Sequence, residues 1–373
     1  SDRLHDELTK SFIDKRASVL ARGLKQDVTF KTEIIENEKV MINKQYIGIL
    51  KGLKLDLDLK IGALDTDIKS LKKAAKQNVA PEILNRIDQI IKTELIELKD
   101  DFKIYWGKFP IAKLAPGKDY LNPEFNLIID EMVESIDKSK LNDYLEKWIN
   151  KKIHQDLKSL IDLKFIKENN SSIRALAYHL YENNGVVKRE NVTDFLIKLG
   201  QDERKILRNL GVKFGRYHIF LYNLFKPNAV SLRIMLWKNF HQKFYNLKPP
   251  IFGLNFLENK KSIDNNFMLL CGFEKFDQFF VRIDMLERLF IQIMNSASKT
   301  NKEIKLIPEM LNLLGCSKNN FLNLIKKMDY KVFEKNNETY FKYWPKKKFK
   351  KSMKFKNKEK DNPFSVLSEL TIK

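Results

Sequence analysis

The spacing of apolar residues changes several times along the 373-residue chain, and each change predicts an element. Over residues 1–30, Leu4, Leu8, Phe12 and Val19 recur at mostly helical spacing among charges, and Gly23 stands near the expected stop. An amphipathic helix is therefore expected to open the chain. It begins at a serine and already in register for burial, which leads us to expect that another domain precedes it. From 31 to 135 β patterning takes over. VTFKTEII and KVMINKQYIGILKGLKL flank Glu36-Asn37-Glu38, a turn, and FKIYWGKFPIAKLAPGKD carries a second β segment. Between them a helix is expected from Asp65 to about Asp100, interrupted near Ala80-Pro81. Ile47-Gly48-Ile49-Leu50 corresponds to Ile111-Ala112-Lys113-Leu114, which reads either as a duplicated β-hairpin and helix unit or as a chance likeness of two short β segments.

Residues 136–300 predict a helical accessory domain. Leu141, Tyr144, Leu145, Trp148, Ile153, Leu157 and Leu160 trace one long helix from Ser135 to about Phe165. A second helix starts at Ser171 or Ser172, carries Ile173, Leu176, Ala177 and Leu180, and stops at Asn183-Asn184-Gly185. Two further helical stretches surround Phe195 and Ile206, and the strand-like GVKFGRYHIF follows. In residues 301–345, Pro308 to Leu314 reads as a short helix, Gly315-Cys316-Ser317 as a turn and cap, and Asn319 to Lys327 as a second helix. YKVFEK and ETYFKYW then alternate around Asn336-Asn337 as a hairpin. That order resembles a winged helix, a module that serves nucleic-acid contact or protein packing alike. Residues 346–373 form a basic tail with an apolar end, too poor in apolar groups over KKKFKKSMKFKNK to fold alone and so expected to be disordered. The expected fold class is mainly α with small β elements, an α+β arrangement.

Charge adds a partner to this outline. A formal net charge of +21, from 69 Lys+Arg against 48 Asp+Glu, favours a polyanion, although codon drift toward lysine would raise it too. In the tail, Lys346, Lys347, Lys348, Lys350, Lys351 and Lys354 could follow a phosphate backbone while Phe349 and Phe355 stack on bases. No apolar run suits a membrane span, the start is too charged for a secretory signal, and a cytoplasmic location is expected. Cys271 and Cys316 form no CxxC, and the five histidines show no metal-ligand spacing.

Two segments imitate nucleotide-binding motifs without their chemistry. Ala112 to Asp119 lacks the first glycine of a phosphate-binding loop and places a carboxylate where magnesium needs a hydroxyl ligand. Leu127-Ile128-Ile129-Asp130-Glu131 follows eight residues later, which leaves no room for a crossover helix. We expect no catalytic residue, metal or cofactor within this chain.

The most specific string, LRNLGVKFGRYHIFLYNLFKPNAVSLRIMLW from Leu207 to Trp237, resembles a segment of alphaproteobacterial DExH-type RNA helicases related to the mitochondrial degradosome helicase. In the same order as in that family stand LTKSFIDKRASVL, YIGILKG, IYWGKFPIAKL, IRALAYHLYENNGVVKR, VRIDMLERL, IPEMLNLLGCS and DNPFSVLSEL. The resemblance implies an ATP-dependent parent protein whose RecA-like motor domains lie upstream of Ser1 and hold ATP and Mg, leaving this chain as a carboxy-terminal, RNA-engaging region. Residue chemistry suggests how it would engage RNA. Lys213, Arg216 and Lys226 bracket an apolar stretch in which Tyr217 or His218 could stack on a base, and Gly211 and Gly215 permit close backbone approach. The same residues could equally be core, with Lys226-Pro227 ending a strand. The rival expectation is a scaffold whose helices dock a ribonuclease or the ribosome.

Overall fold

The computed structural model describes residues 32–42, 45–57, 65–168, 170–243, 246–258, 263–297 and 302–344. The opening helix expected before Gly23 and the basic tail from Lys346 lie outside these residues. The chain mixes α-helices with small antiparallel sheets and divides into two compact units, one ending at Phe290 and one beginning at Ile291.

The first unit begins with two four-stranded antiparallel meanders: β1 (Thr32–Ile35), β2 (Lys39–Ile42), β3 (Gln45–Lys51) and β4 (Lys54–Leu57), then β5 (Ile96–Leu98), β6 (Lys103–Trp106), β7 (Phe109–Ala115) and β8 (Glu124–Leu127). Their registers agree in detail. Val40 faces Gly48 while Met41 faces Tyr46, so Ile47 is the extra residue of a bulge; Ile104 faces Ala112 while Tyr105 faces Pro110, so Ile111 is extra in the same way. Gly48 and Ala112 in turn pair with Leu57 and Leu127. Each bulge delivers its isoleucine into the core, where both are fully buried.

Helix α1 (Asp65–Thr93) connects the meanders and runs unbroken through Pro81, against the expected interruption. Val79, Ile83, Ile87 and Ile90 keep one buried stripe on both sides of the proline, which is itself exposed, and this packing outweighs the missing backbone bond. The helix then ends at Thr93, short of the expected Asp100, because Ile96 begins a strand. Arg86 donates to the carbonyls of Leu50 and Gly52 and pairs with Glu38. Lys76 reaches the buried Asp130 at 3.2 Å, and the Asp130 N–H donates to Leu53 O, joining the two meanders.

The expected long helix is two, α2 (Ser135–Asp156) and α3 (Lys158–Lys164), because Leu157 leaves helical geometry at φ −115°, ψ 20°. The break lets Leu157, Leu160, Ile161 and Leu163 all reach the core. Leu141 and Leu145 on α2 pack with the meanders, and Ile149 and Ile153 with the next core, so this helix belongs to both. Next come α4 (Ser171–Glu182), β9 (Val186–Lys188), α5 (Thr193–Ile197), α6 (Gln201–Asn209), β10 (Val212–Phe214), β11 (His218–Leu221) and α7 (Pro227–His241). The cap of α4 is Asn170 rather than a serine, its side chain accepting from the N–H of Ser172 and Ile173. The stop lies where the sequence predicts, with Asn184 and Gly185 in left-handed conformation. A Cβ on Gly185 would stand 2.3 Å from Leu224 Cδ1, so glycine is needed there on both counts. The unit continues through β12 (Phe256–Glu258), α8 (Asn265–Leu270), β13 (Phe273–Phe276) and β14 (Phe279–Arg282) into α9 (Ile283–Ser296).

Helix α7 lies between two cores. Ala229, Leu232 and Leu236 join the core built on α2 to α6, whereas Val230 and Ile234 join the one around α8. Arg233 is fully buried on the same helix, without a carboxylate partner among the described residues. Its guanidinium donates to Asn184 O at 2.7 Å, Leu270 O at 2.6 Å and Leu224 O at 3.4 Å. Burial pushes its pKa down to about 10, which still leaves it charged at neutral pH.

The second unit contains β15 (Ile304–Lys305), α10 (Pro308–Leu314), α11 (Lys318–Lys327), β16 (Tyr330–Lys335) and β17 (Glu338–Tyr343) in a sheet ordered β15-β17-β16. Gly315 ends α10 at φ 67°, Ser317 caps α11 by accepting from Asn320 N–H, and Asn336 and Asn337 take the positive φ of a tight hairpin. No helix among the described residues is long and apolar enough to cross a membrane.

Replacing Arg233 with Met would leave three buried carbonyls without a donor, and we expect unfolding stability to fall by about 3–5 kcal/mol. Arg216→Met, on the surface, should cost about 0.5 kcal/mol or less. Urea denaturation of the two variants checks the contrast, and equal losses would remove Arg233 from its central place.

Candidate nucleic-acid interface

β10 and β11 form a hairpin, with β9 paired along the other edge of β11. Every residue of β11 is buried, so the apolar half of the GRYHIF string is core. The connection from Gly215 to Tyr217 is held from several directions. Gly215 N–H donates to His218 O at 2.8 Å, Arg189 N–H to Tyr217 O at 2.8 Å, and Arg189 Nη1 to Gly215 O at 2.7 Å. From α9, the buried Glu287 carboxylate accepts the N–H groups of Arg216, Tyr217 and His218 at 2.5, 2.8 and 2.8 Å. A Cβ at Gly215 would lie 2.4 Å from Glu287 Cδ, so the carboxylate can enter only over a glycine. Gly211 differs: nothing crowds it, and its φ of 91° is the reason for glycine there.

Two carboxylates, a histidine and a lysine meet beneath the turn. His218 Nε2 lies 3.0 Å from Glu274, its Nδ1 3.6 Å from Glu287, and Lys188 binds the other oxygen of Glu274 at 2.6 Å. Burial opposes charge on the His218 ring, but the two carboxylates outweigh it and raise its pKa above the ordinary 6.5. Burial likewise opposes ionisation of Glu274, and His218 and Lys188 overcome it, so its pKa is lowered. His218 is therefore buried and bound to Glu274, not a ring offered to a base.

The other candidates differ in placement. Lys213 and Arg216 are exposed on the hairpin. Tyr217 is half-buried and edge-on to Phe290, with ring centroids 5.7 Å apart, and Arg216 lies over the same Phe290 ring at 5.8 Å. Lys226 is exposed but stands apart from the hairpin as the N-cap of α7, with Pro227 at its first helical position; Lys226-Pro227 starts a helix instead of ending a strand. The tail candidates Lys346, Lys347, Lys348, Phe349, Lys350, Lys351, Lys354 and Phe355 fall outside the described residues.

Arg208 was not among the expected residues. It is exposed on α6 and its guanidinium lies 5.7 Å from the centre of the half-buried Phe214 ring, adding a cation stacked on an aromatic beside Lys213. Arg204 lies 6.0 Å from the same ring but is engaged by the carbonyls of Leu196 and Leu199. The i, i+4 spacing of Arg204 and Arg208 is a local signal that could have been read, whereas the Glu287 clamp spans 71 residues and leaves none.

The phosphate-loop look-alike is a strand and a turn. Asp119 accepts from Leu121 N–H, Asn122 and Lys164, and β8 follows in place of a helix. No group of three or more His, Cys, Asp or Glu suited to a metal ion occurs among the described residues.

The raised His218 pKa has a definite sign in stability. Its contribution is complete below pH 6.5 and is lost as pH rises through the folded-state value. The lowered Glu274 pKa acts oppositely, its contribution present above 4.5 and lost as pH falls through the folded value. Thermal melts should fall from pH 6.5 upward in the native chain and lose that component in His218→Gln. Glu287→Ala, which orphans three N–H groups, should cost about 3 kcal/mol or more by denaturant melts. No family model matches this chain, and no curated protein and no solved structure matches it either.

Proposed function

We propose that this chain is the carboxy-terminal, RNA-engaging accessory region of an ATP-dependent DExH-type RNA helicase, acting in RNA processing or decay. In this reading, ATP and Mg are used by RecA-like motor domains outside the chain, which itself grips and guides RNA in the cytoplasm. The observation that carries the reading is the β10–β11 hairpin. Its turn is fixed from below by Glu287 and Arg189, while Lys213 and Arg216 stay exposed above and Arg208 stacks on Phe214 beside them. A rigid support costs little ordering entropy on binding, and cations next to aromatic faces suit a flexible single strand.

Two other features support the same architecture. The shared strand order and bulge position of the meanders favour an internal duplication. The helices and three-stranded sheet of the second unit favour a winged helix, which would be a further RNA contact.

A scaffold for a ribonuclease or ribosomal partner is the second reading. It is favoured by the loop around Ile251, Phe252 and Leu254, which are 76%, 49% and 42% exposed.

Binding of the chain to single-stranded RNA at near-physiological salt separates the two, and failure to bind would favour the scaffold. If RNA is gripped as proposed, the double variant Lys213→Glu with Arg216→Glu should bind at least about tenfold more weakly, a loss of about 1.4 kcal/mol. Truncation after Trp344 should weaken binding and flatten its logarithmic salt dependence by about 0.7 for each phosphate that the tail had neutralised. An unchanged slope would defeat the role given to the tail lysines.

A further inference from the structure

The sheet of the second unit has two unlike faces. Toward α11, Tyr330 and Phe341 are buried, and Phe341 meets Phe321 edge-on with ring centroids 6.2 Å apart. Side chains alternate along a strand, so Lys331, Phe333 and Lys335 of β16 share the opposite face with Glu338, Tyr340 and Lys342 of β17. We propose that this outer face binds single-stranded nucleic acid, with its aromatic rings against the bases and its lysines on the phosphates. Two independent features converge on it.

The first is an uncompensated pair of like charges. The register sets Lys331 directly opposite Lys342, and neither has a carboxylate partner among the described residues. Like charges in that position destabilise a hairpin. A slip of register cannot relieve them, because moving one strand by a single residue would carry the fully buried Phe341 out of the core. The carboxylates that reach this face are already engaged, Glu338 by Lys305 of β15 and Glu303 by Lys335 at 3.7 Å. A phosphate between the two ammonium groups removes the repulsion.

The second is aromatic surface on both sides of that pair. Phe333 and Tyr340 stand opposite each other in the next row, half-buried, with rings 16° from parallel and centroids 6.1 Å apart. The Tyr340 hydroxyl donates to Glu338 at 3.0 Å, which holds its ring in place. In the other direction Trp344 follows Lys342 in the same alternation and is 64% exposed. Its backbone is fixed, since its N–H donates to Asp329 O at 2.8 Å. The lysines therefore lie between two aromatic platforms. That order discriminates among polyanions. A duplex keeps its base faces stacked inside, and an acidic peptide would use the lysines and leave the rings uncovered. A single strand offers phosphates and open bases together, and engages both.

The surface deepens the RNA reading, on which it rests only for the choice of RNA over DNA. The test uses the full chain and measures fluorescence anisotropy of a single-stranded oligoadenylate at near-physiological salt, with the matching deoxyoligonucleotide and a polyglutamate peptide beside it. Lys331→Gln with Lys342→Gln should weaken oligoadenylate binding about tenfold and flatten its logarithmic salt dependence by about 0.7 for each lysine. Thermal melts of that variant should be unchanged or raised, because a like-charge pair is gone, and this separates lost contacts from lost structure. Trp344→Ala should weaken binding roughly fivefold or more, and Trp344→Phe much less, since the phenyl ring keeps a stacking face. Oligoadenylate binding indifferent to these substitutions overturns the proposal, and the RNA reading still stands if Lys213→Glu with Arg216→Glu weakens it. Polyglutamate binding that needs the two lysines but not Trp344 also overturns it and assigns the face to an acidic protein. If the deoxyoligonucleotide binds with the expected sensitivities and oligoadenylate does not bind, the surface stands and the RNA reading fails.

Discussion

A charge that cannot leave the interior organises the first unit. Arg233 sits fully buried on α7 with three backbone carbonyls as its ligands and no carboxylate among the described residues. Two of them lie where helices finish, Asn184 just after α4 and Leu270 at the last residue of α8, so the guanidinium meets the negative ends of two helix dipoles. The third, Leu224, belongs to the turn leading into α7 itself. Desolvating a guanidinium is expensive, and only a geometry that presents these carbonyls together makes it tolerable. Placing α7 therefore places α4 and α8, and with them the strands that follow each. Asn239, two turns further along α7, donates to Ala115 O at 3.0 Å and ties the helix to the second meander. The turn that leads into α7 is held by the same anchor, through Leu224 O.

The hairpin obeys a related constraint with the signs exchanged. Here the buried charge is a carboxylate, and backbone N–H groups satisfy it. A turn that only needed to reverse the chain would require none of Glu287, His218, Glu274 and Lys188. Their cost in desolvation is offset by mutual pairing, and what remains is a loop with one backbone conformation. That bears on function because Lys213 and Arg216 gain fixed positions while their heads remain in water. The same cations on an unclamped loop would carry equal charge and less geometry.

What was legible in the sequence was local. Asn336-Asn337 demands a tight hairpin, Ser317 a helix start and Asn184-Gly185 a helix stop, and all three stand where the residues put them because the cause and its effect lie within a few positions. The two β segments around Ile47 and Ile111 were readable as strands for the same reason, whereas the bulges they carry were not. Misreadings arose where distant packing decided. Pro81 is carried through α1 by a stripe that buries against both meanders, and Leu157 breaks a helix that periodicity alone would continue. His218 is the sharpest case. Beside Tyr217 it looks like a stacking ring, and only carboxylates 56 and 69 residues away hold it inside the protein.

Net charge has to be reconsidered in the same light. The formal +21 counts every basic side chain equally, yet a cation already desolvated inside the protein has no counterion to exchange with a phosphate backbone. Arg233, Arg86 and Lys238 are buried and bound to carbonyls, and Lys76 and Lys188 are neutralised by Asp130 and Glu274. These residues add to the charge of the molecule as seen from far away, and so to long-range attraction, but not to a contact. A contact with such a backbone would have to be made by cations that are exposed and also held. Lys213, Arg216 and Arg208 meet that condition at the clamped hairpin, and Lys226 meets it at the end of an anchored helix. Buried charge thus acts on any polyanion indirectly, by fixing the backbone that carries the few surface charges able to touch it.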